Sequence, residues 1–226
     1  MGDAIGGMLA PAVGIAISPV PLIAVILMLA TSKGRGNGIA FTAGWLVSLA
    51  ALVTVVVLAA SGGDASGGDD GPASWTLWLK LGLGVLFLLM GVKQWKDRPR
   101  EGRAAEPPGW MKAIDTFTPG KSAGLAAALA VVNPKNLVLA VGGAVSIAAS
   151  TASAGGKTVA AVLMVLIASL CTLLPLGVYF LGGEKSVTVL GEWKAWMAAH
   201  NAAIMTTVLI VLGAKYIGDA VSGLAG

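Results

Sequence analysis

The chain has 226 residues, of which 56% are hydrophobic and only 12% are charged. Because a soluble domain carries about a quarter of its residues as charged side chains, this composition excludes an ordinary soluble protein and indicates an integral membrane protein. The net charge of +4 does not indicate a nucleic-acid partner, since the basic residues are concentrated beside the ends of the predicted helices.

Six stretches are apolar enough to cross a membrane, for which a helix needs about 20 predominantly apolar residues. In chain order they are Leu9–Thr31, Ile39–Ala60, Trp75–Val92, Ser122–Ala154, Thr158–Gly183 and Ala202–Val221. Pro175 predicts a kink in the fifth. The first is too long for the apolar region of a signal peptide, so we expect it to be retained as a span. Gly183–Ala199 is amphipathic and contains two tryptophans, which predicts a segment lying in the membrane interface. The expected fold class is an all-α integral membrane protein with six transmembrane helices.

Basic residues in the short loops predict the orientation of the spans. The first, third and fifth loops lie on one side of the membrane and contain ten basic residues: Lys33, Arg35, Lys96, Arg98, Arg100, Arg103, Lys112, Lys121, Lys185 and Lys194. The opposite side contains mainly Asp3, Asp64, Asp69 and Asp70, with Lys157. We therefore expect a multi-pass protein of the cell membrane with both termini outside the cytoplasm.

Prolines interrupt the first and the fourth span within similar local sequences. These are Ser18-Pro19-Val20-Pro21-Leu22-Ile23 and Asn133-Pro134-Lys135-Asn136-Leu137-Val138. Proline lacks a backbone donor and clashes with the preceding turn, so each site frees carbonyl groups that hydrocarbon cannot satisfy. Paired interruptions in two halves of a chain are typical of transporter substrate sites. Two independent proline kinks would also produce this pattern.

An odd number of spans in each half predicts an inverted repeat, because the second half then enters the membrane in the opposite sense. The expected organisation is a first three-helix repeat over residues 1–95, a basic cytoplasmic linker over 96–121, and a second three-helix repeat over 122–226. The second repeat includes the interfacial segment near 183–199. Two faces of small residues, Ala40-Gly44-Ser48 and Gly120-Gly124-Ala128, predict close helix contacts. Such faces also permit a homodimer.

The proline-broken spans, the count of six and the basic central loop resemble the lysine exporter (LysE) superfamily. The resemblance is greatest to its GAP branch, proteins associated with addressing glycolipids and sulfolipids to the cell surface. It implies a 3+3 architecture and export from the cytoplasm, with Ser18, Pro19 and Pro21 matching the first-half motif and the string from Asn133 to Asn136 matching the second. Amino-acid exporters of the superfamily favour a Gly-Pro-Asn type string in the first span, and this chain departs from it.

Lys135 is the most specific candidate for a substrate-binding residue. It is close to the middle of the predicted fourth span, where a charge is costly unless it faces a cavity or a partner. A half-helix that begins at Pro134 would add free N–H groups and a positive dipole end. The lysine charge and the helix N-terminus together would bind a phosphate, sulfate or carboxylate. Asn133, Asn136 and Ser18 could add hydrogen bonds to the same ligand. A lysine that extends to the interface or binds a freed carbonyl is the structural alternative.

Other polar residues have simpler interpretations. Lys215 and Asp219 are four residues apart and predict a helical ion pair, while His200 lacks neighbouring metal ligands. The single cysteine, Cys171, cannot form an internal disulfide. No arrangement of residues typical of an enzyme, a cofactor site or a metal site is present in the sequence.

The residues predict a secondary transporter that exports an amphipathic anionic substrate, a glycolipid or lipid-linked headgroup, by alternating access. The predicted substrate-binding residues are Ser18, Pro19, Pro21, Asn133, Pro134, Lys135 and Asn136. The expected partners are membrane lipids and the substrate itself. Two alternatives are an exporter of small amino-acid-like solutes and a non-transporting membrane scaffold that assists glycolipid export.

Overall fold

The computed structural model describes residues 1–62, 74–98, 111 and 113–225, and within these ranges the chain is helical, with no strands. The helices are α1 (Gly2–Ala16), α2 (Pro19–Leu29), α3 (Gly34–Gly62), α4 (Ser74–Lys96), α5 (Pro119–Val131), α6 (Pro134–Ala148), α7 (Ala154–Ala168), α8 (Leu170–Leu181) and α9 (Lys185–Ala225). A short 3₁₀ turn, Ile114–Thr116, precedes α5.

Three of the described helices, α3, α4 and α9, are each long and apolar enough to cross a membrane. Three further pairs pass the same test when their two helices are taken together: α1 with α2, α5 with α6, and α7 with α8. These pairs bend by 46°, 63° and 56°. The prediction of an all-helical, multi-pass membrane protein is confirmed, with between three and six candidate spans.

The two predicted proline breaks are both present, and they have nearly the same backbone geometry. Ser18 precedes α2 with φ −69° and ψ 118°, and Asn133 precedes α6 with φ −66° and ψ 114°. In each case the proline is the first helical residue, where its fixed φ matches the helical value. The N–H that proline lacks would have no partner within the helix at this position, so no helical hydrogen bond is lost. The chain therefore ends one helix and starts another at each motif.

A third break lies at Ser169, whereas the sequence predicts a kink at Pro175. Pro175 lies inside α8, and the bend falls between Ala168 and Leu170. The Cys171 thiol donates to the Ala168 carbonyl at 3.3 Å, and the Thr172 hydroxyl donates to the Ser169 carbonyl at 3.0 Å. These side chains satisfy carbonyls at the bend, as hydroxyl and thiol groups do in broken membrane helices.

The segment expected to lie separately in the membrane interface is the first part of α9. This helix runs without a break over 41 residues, or about 60 Å at the α-helical rise, twice the hydrocarbon thickness of about 30 Å. No proline separates Gly183–Ala199 from the last span, and its alanines favour helix continuation. The structure does not divide the two segments.

A few helix pairs account for most of the packing. The helix pairs in closest contact are α4 with α9, α3 with α5, and α1 with both α6 and α7. The core between them is closed by large, fully buried side chains, among them Phe41, Trp45, Phe87 and Tyr216. Gly44 allows α3 to approach α5, since a β-carbon there would lie 2.7 Å from the Ala123 carbonyl oxygen. The second predicted small-residue face differs, because Gly120 and Gly124 are exposed and touch no neighbouring helix.

Most of the predicted basic linker falls outside the described residues, including Arg100, Arg103 and Lys112. The aspartates of the second loop, Asp64, Asp69 and Asp70, fall outside them too. Where the linker is described, it is attached to α3 by a hydrogen bond from the Asn37 side-chain amide to the Phe117 carbonyl, at 3.1 Å.

Candidate polar site at the two helix breaks

Helix α1 packs antiparallel on α6 with a constant register. Three contacts define it: Gly7 with Ser146, Pro11 with Gly143, and Gly14 with Leu139. Extended by one turn, this register puts Ser18 at the level of Lys135. The two breaks, 115 positions apart in the sequence numbering, therefore lie at one depth in the helix bundle.

Both asparagines of the second motif bind backbone groups at the break. The Asn133 side-chain oxygen accepts a hydrogen bond from the Lys135 backbone N–H at 3.2 Å and so caps α6. The Asn136 side-chain amide donates to the Leu129 carbonyl of α5 at 3.0 Å. This bond ties the end of α5 to the start of α6 across the 63° bend. Both residues thus have a structural role, although the sequence indicates them as ligand contacts.

The Lys135 side chain crosses to a neighbouring helix. Its ammonium donates to the side-chain carbonyl of Gln94, which lies in the last turn of α4. That end of α4 precedes the basic linker, so the Lys135 ammonium reaches the end of a helix long enough to span the membrane. The position of Lys135 near the middle of the fourth span stays a prediction from the sequence, and a lysine side chain is long enough to extend from there toward an interface.

The first motif contributes buried residues without charge. Ser18 is 2% exposed, and its hydroxyl makes no capping hydrogen bond to α2. Pro19 and Pro21 are buried in the first turn of α2, whereas Pro134 is exposed and Lys135 is half-buried. The two motifs lie at one level of the bundle, but only the second presents a charge.

Two buried polar atoms in this region lack a hydrogen-bond partner among the described residues. One is the side-chain oxygen of Asn136. The other is the hydroxyl of Thr206 in α9, which lies one turn from the contact of Leu209 with Gly91 and so near the level of Gln94. Buried polar groups are nearly always paired, so unpaired ones indicate a site for water or for a polar ligand. With the Lys135 ammonium nearby on α6, the arrangement can bind an anionic group that also accepts or donates hydrogen bonds.

A second polar region lies at the opposite end of α6. A cavity of about 370 Å³ is lined there by Gly2, Asp3, Gly6, Gly7, Lys80, Ser146, Ala149, Ser150, Lys215 and Asp219. The Lys215 ammonium binds the Asp219 carboxylate at 2.6 Å, which confirms the predicted helical pair. Beneath it, the Ser146 and Tyr216 hydroxyls are hydrogen-bonded at 3.2 Å.

No group of three or more possible metal ligands is found in the part of the chain that the structure describes. His200 binds the Trp196 carbonyl through Nδ1 at 2.8 Å and stacks on the Trp196 ring. It therefore has local partners on its own helix.

Sequence reasoning does not identify Gln94 or Thr206 as neighbours of the broken helices. In the sequence, Gln94 begins the polar segment after the third span, and Thr206 lies in an apolar run. The available signal for Gln94 is its place in the last turn of an apolar helix. Its pairing with Lys135 depends on how α4 packs against α6, which the sequence pattern does not contain.

Comparison with known families gives one match over almost the whole chain. The family model described as Sap, sulfolipid-1-addressing protein, matches residues 8–222. Comparisons with curated proteins and with solved structures gave no match. The matched range includes both proline motifs, α2 to α8 in full and most of α1 and α9. The chain therefore belongs to the sulfolipid-1-addressing protein family.

Proposed function

We propose that the protein is a secondary exporter that carries an amphipathic anionic lipid from the cytoplasmic leaflet, and that the site at the two helix breaks binds the headgroup. The observation that carries this proposal is the meeting of two broken helices beside the Lys135 ammonium. Membership of a family named for a sulfolipid-addressing protein supports an anionic lipid as the cargo, and superfamily kinship with the lysine exporters remains part of the proposal.

The headgroup would bind where Lys135 now binds Gln94. Gln94 is neutral, so an incoming sulfate, phosphate or carboxylate can replace it as the acceptor and gain a charge-assisted hydrogen bond. The N-terminus of α6 adds a positive dipole end at the same place. Because Thr206 and Asn136 retain free hydrogen-bonding capacity, they can bind the sugar or ester part of the cargo.

An inverted repeat would supply the movement, as an exchange of the two halves between inward-open and outward-open states. Helix contacts support such a repeat, since three of the contacts between the halves have counterparts when the halves are exchanged. Contact of α3 with α5 corresponds to contact of α7 with α1, α3 with α6 corresponds to α8 with α2, and α4 with α9 corresponds to itself. The similar dihedral angles at Ser18 and Asn133 support the same relationship.

In this proposal the basic linker is cytoplasmic and both termini are outside, which follows the distribution of basic residues between the loops. The site at Lys135 is then near the cytoplasmic side, where a lipid is loaded. The cavity lined by Lys80 and Lys215 is at the outer end of the same helix, α6, where a lipid is released.

Reconstitution of the protein alone into phospholipid vesicles tests the proposal. Fluorescent phosphatidylglycerol serves as the anionic probe and fluorescent phosphatidylcholine as the neutral one, and loss of fluorescence to an impermeant reductant measures movement between leaflets. An exporter moves the anionic probe faster. A scaffold that only assists another protein moves neither probe, and a solute exporter moves neither probe but releases a trapped amino acid.

A further inference from the structure

A long groove lies between the second half of α3 and α7, away from the site at the breaks. Its volume is about 500 Å³, and it is lined by Ala50, Val53, Thr54, Val57, Leu58, Ser61, Ala152, Ala154, Lys157, Thr158, Ala161, Val162, Val165 and Leu166. Several of these side chains, including Leu58, Val162 and Leu166, are exposed on the outside of the bundle. The groove therefore opens sideways, toward the hydrocarbon of the membrane.

The length of the groove corresponds to one leaflet. From Ala50 to Ser61 the wall formed by α3 rises about 16 Å, and one leaflet of hydrocarbon is about 15 Å thick, half of the bilayer core. Apart from Thr54, the polar lining residues are gathered at one end, where Ser61 ends the apolar run of α3 and Lys157 lies in the first turn of α7. An apolar groove with a polar end matches the length and polarity of one lipid in a leaflet, with its acyl chain in the groove and its headgroup at the polar end.

The polar end contains a positioned cation. The Lys157 ammonium donates one hydrogen bond to the Ala148 carbonyl at 2.6 Å, at the end of α6. An ammonium has three donors, so two remain for another group. The Ser61 hydroxyl at the same end is buried and has no hydrogen-bond partner among the described residues. The charge and the unpaired hydroxyl together fit an anionic headgroup that accepts hydrogen bonds.

We propose that this groove binds one anionic lipid of the leaflet opposite the basic linker, with an acyl chain along α3 and α7 and its headgroup on Lys157 and Ser61. Lys135 and Lys157 contact opposite ends of α6, which are about 20 Å apart. The groove is thus a second lipid site on the release side. The assignment of an anionic lipid to it rests on the proposed function.

Bromolipid quenching tests the site by equilibrium binding. In a Cys171→Ser background, Ala161→Cys carries a bimane fluorophore in the groove, and Val47→Cys carries one on the exposed outer face of α3, where Val47 is 69% exposed. Vesicles contain either brominated phosphatidylglycerol or brominated phosphatidylcholine. At position 161 we expect phosphatidylglycerol to be preferred by about fivefold, the factor given by one lysine near an anionic lipid surface. At position 47 we expect no preference.

Variants of the cation complete the experiment. Lys157→Arg should keep the preference at position 161, and Lys157→Gln should abolish it. A reporter at Val162→Cys gives the same comparison if Ala161→Cys does not fold. Equal quenching by the two lipids at both groove positions, or a preference that survives Lys157→Gln, would overturn the proposal.

The outcome is separable from that of the exporter proposal, because quenching requires no movement between leaflets. If the protein moves lipid but shows no preference for phosphatidylglycerol at position 161, only the groove site is contradicted. A preserved preference in a protein that moves no lipid contradicts the exporter alone.

Discussion

The ammonium of Lys135 donates a hydrogen bond to the side-chain carbonyl of Gln94, and this bond connects the start of α6 to the last turn of α4. This acceptor is neutral, and the Asp97 carboxylate acts on the lysine charge from a longer distance. The lysine is half-buried, so this charge is only partly hydrated and gains from an anionic partner. In the proposed exporter, the bond to Gln94 is the contact that the cargo replaces.

Replacement of Gln94 by glutamate should inhibit transport. The introduced carboxylate would form an ion pair with Lys135 and compete with the anionic headgroup, so we expect Gln94→Glu to lower the rate of phosphatidylglycerol movement by about tenfold, which corresponds to about 1.4 kcal/mol. The measurement is the vesicle assay with equal amounts of folded protein. Gln94→Met, which is similar in size but has no charge, is the control and should retain most of the rate. A wild-type rate in Gln94→Glu would contradict the idea that the cargo replaces Gln94.

Asn136 should matter for stability. Its amide satisfies the Leu129 carbonyl inside the bundle, and Asn136→Leu leaves that carbonyl without its partner, at an expected cost of about 1–3 kcal/mol. Thermal unfolding in detergent, followed by tryptophan fluorescence, measures the loss. Val132→Ala is the control, because Val132 in the same bend is 72% exposed and should change little. An Asn136→Leu protein as stable as the wild type would show that the bond to Leu129 does not hold the bend.

The close contact of α3 with α5 gives a packing prediction. A methyl group at Gly44 would lie 2.7 Å from the Ala123 carbonyl oxygen and 2.8 Å from its Cα. These are backbone atoms that cannot rotate away, so Gly44→Ala should destabilise the protein by about 1–3 kcal/mol. Gly124→Ala on the exposed face of α5 has open space and should be neutral or slightly stabilising, as alanine favours helices. Equal melting temperatures for the two variants would contradict the packing of α3 on α5.

The orientation can be checked by cysteine labelling in whole cells. In a Cys171→Ser background, an impermeant maleimide should label Ser153→Cys, in the exposed turn before α7, without permeabilisation. Ser32→Cys and Glu184→Cys lie in exposed turns on the opposite side and should be labelled only after permeabilisation. The reverse pattern would place the basic linker outside and would reverse the proposed direction of export.

The sequence predicts the helical class and both proline breaks well, because apolar length and the missing N–H of proline act locally. It places the third break wrongly, since Pro175 fits inside α8 while Cys171 and Thr172 stabilise the bend before it. Hydroxyl and thiol groups that bind backbone carbonyls are common in membrane helices, so their presence alone does not mark a break.

The candidate site is predicted only in part, for a different reason. The sequence identifies Lys135 and its motif but not its partner or the helix end that its side chain reaches. Both depend on the antiparallel packing of α6 against α1 and α4, in which Ser18 and Gln94 reach the level of Lys135. Such distances between helices come from the tertiary fold, whereas the periodicity of the sequence describes one helix at a time.

The most direct test of the exporter is the comparison of Lys135→Ala with Lys135→Arg in vesicles that contain fluorescent phosphatidylglycerol. If the Lys135 ammonium binds the headgroup, Lys135→Ala should reduce movement of this anionic lipid by at least about tenfold, since loss of a charge-assisted hydrogen bond removes about 1.5–3 kcal/mol. Lys135→Arg should retain much of the rate, and both variants should unfold at temperatures close to that of the wild type. Movement at the full wild-type rate in a folded Lys135→Ala protein would contradict the account.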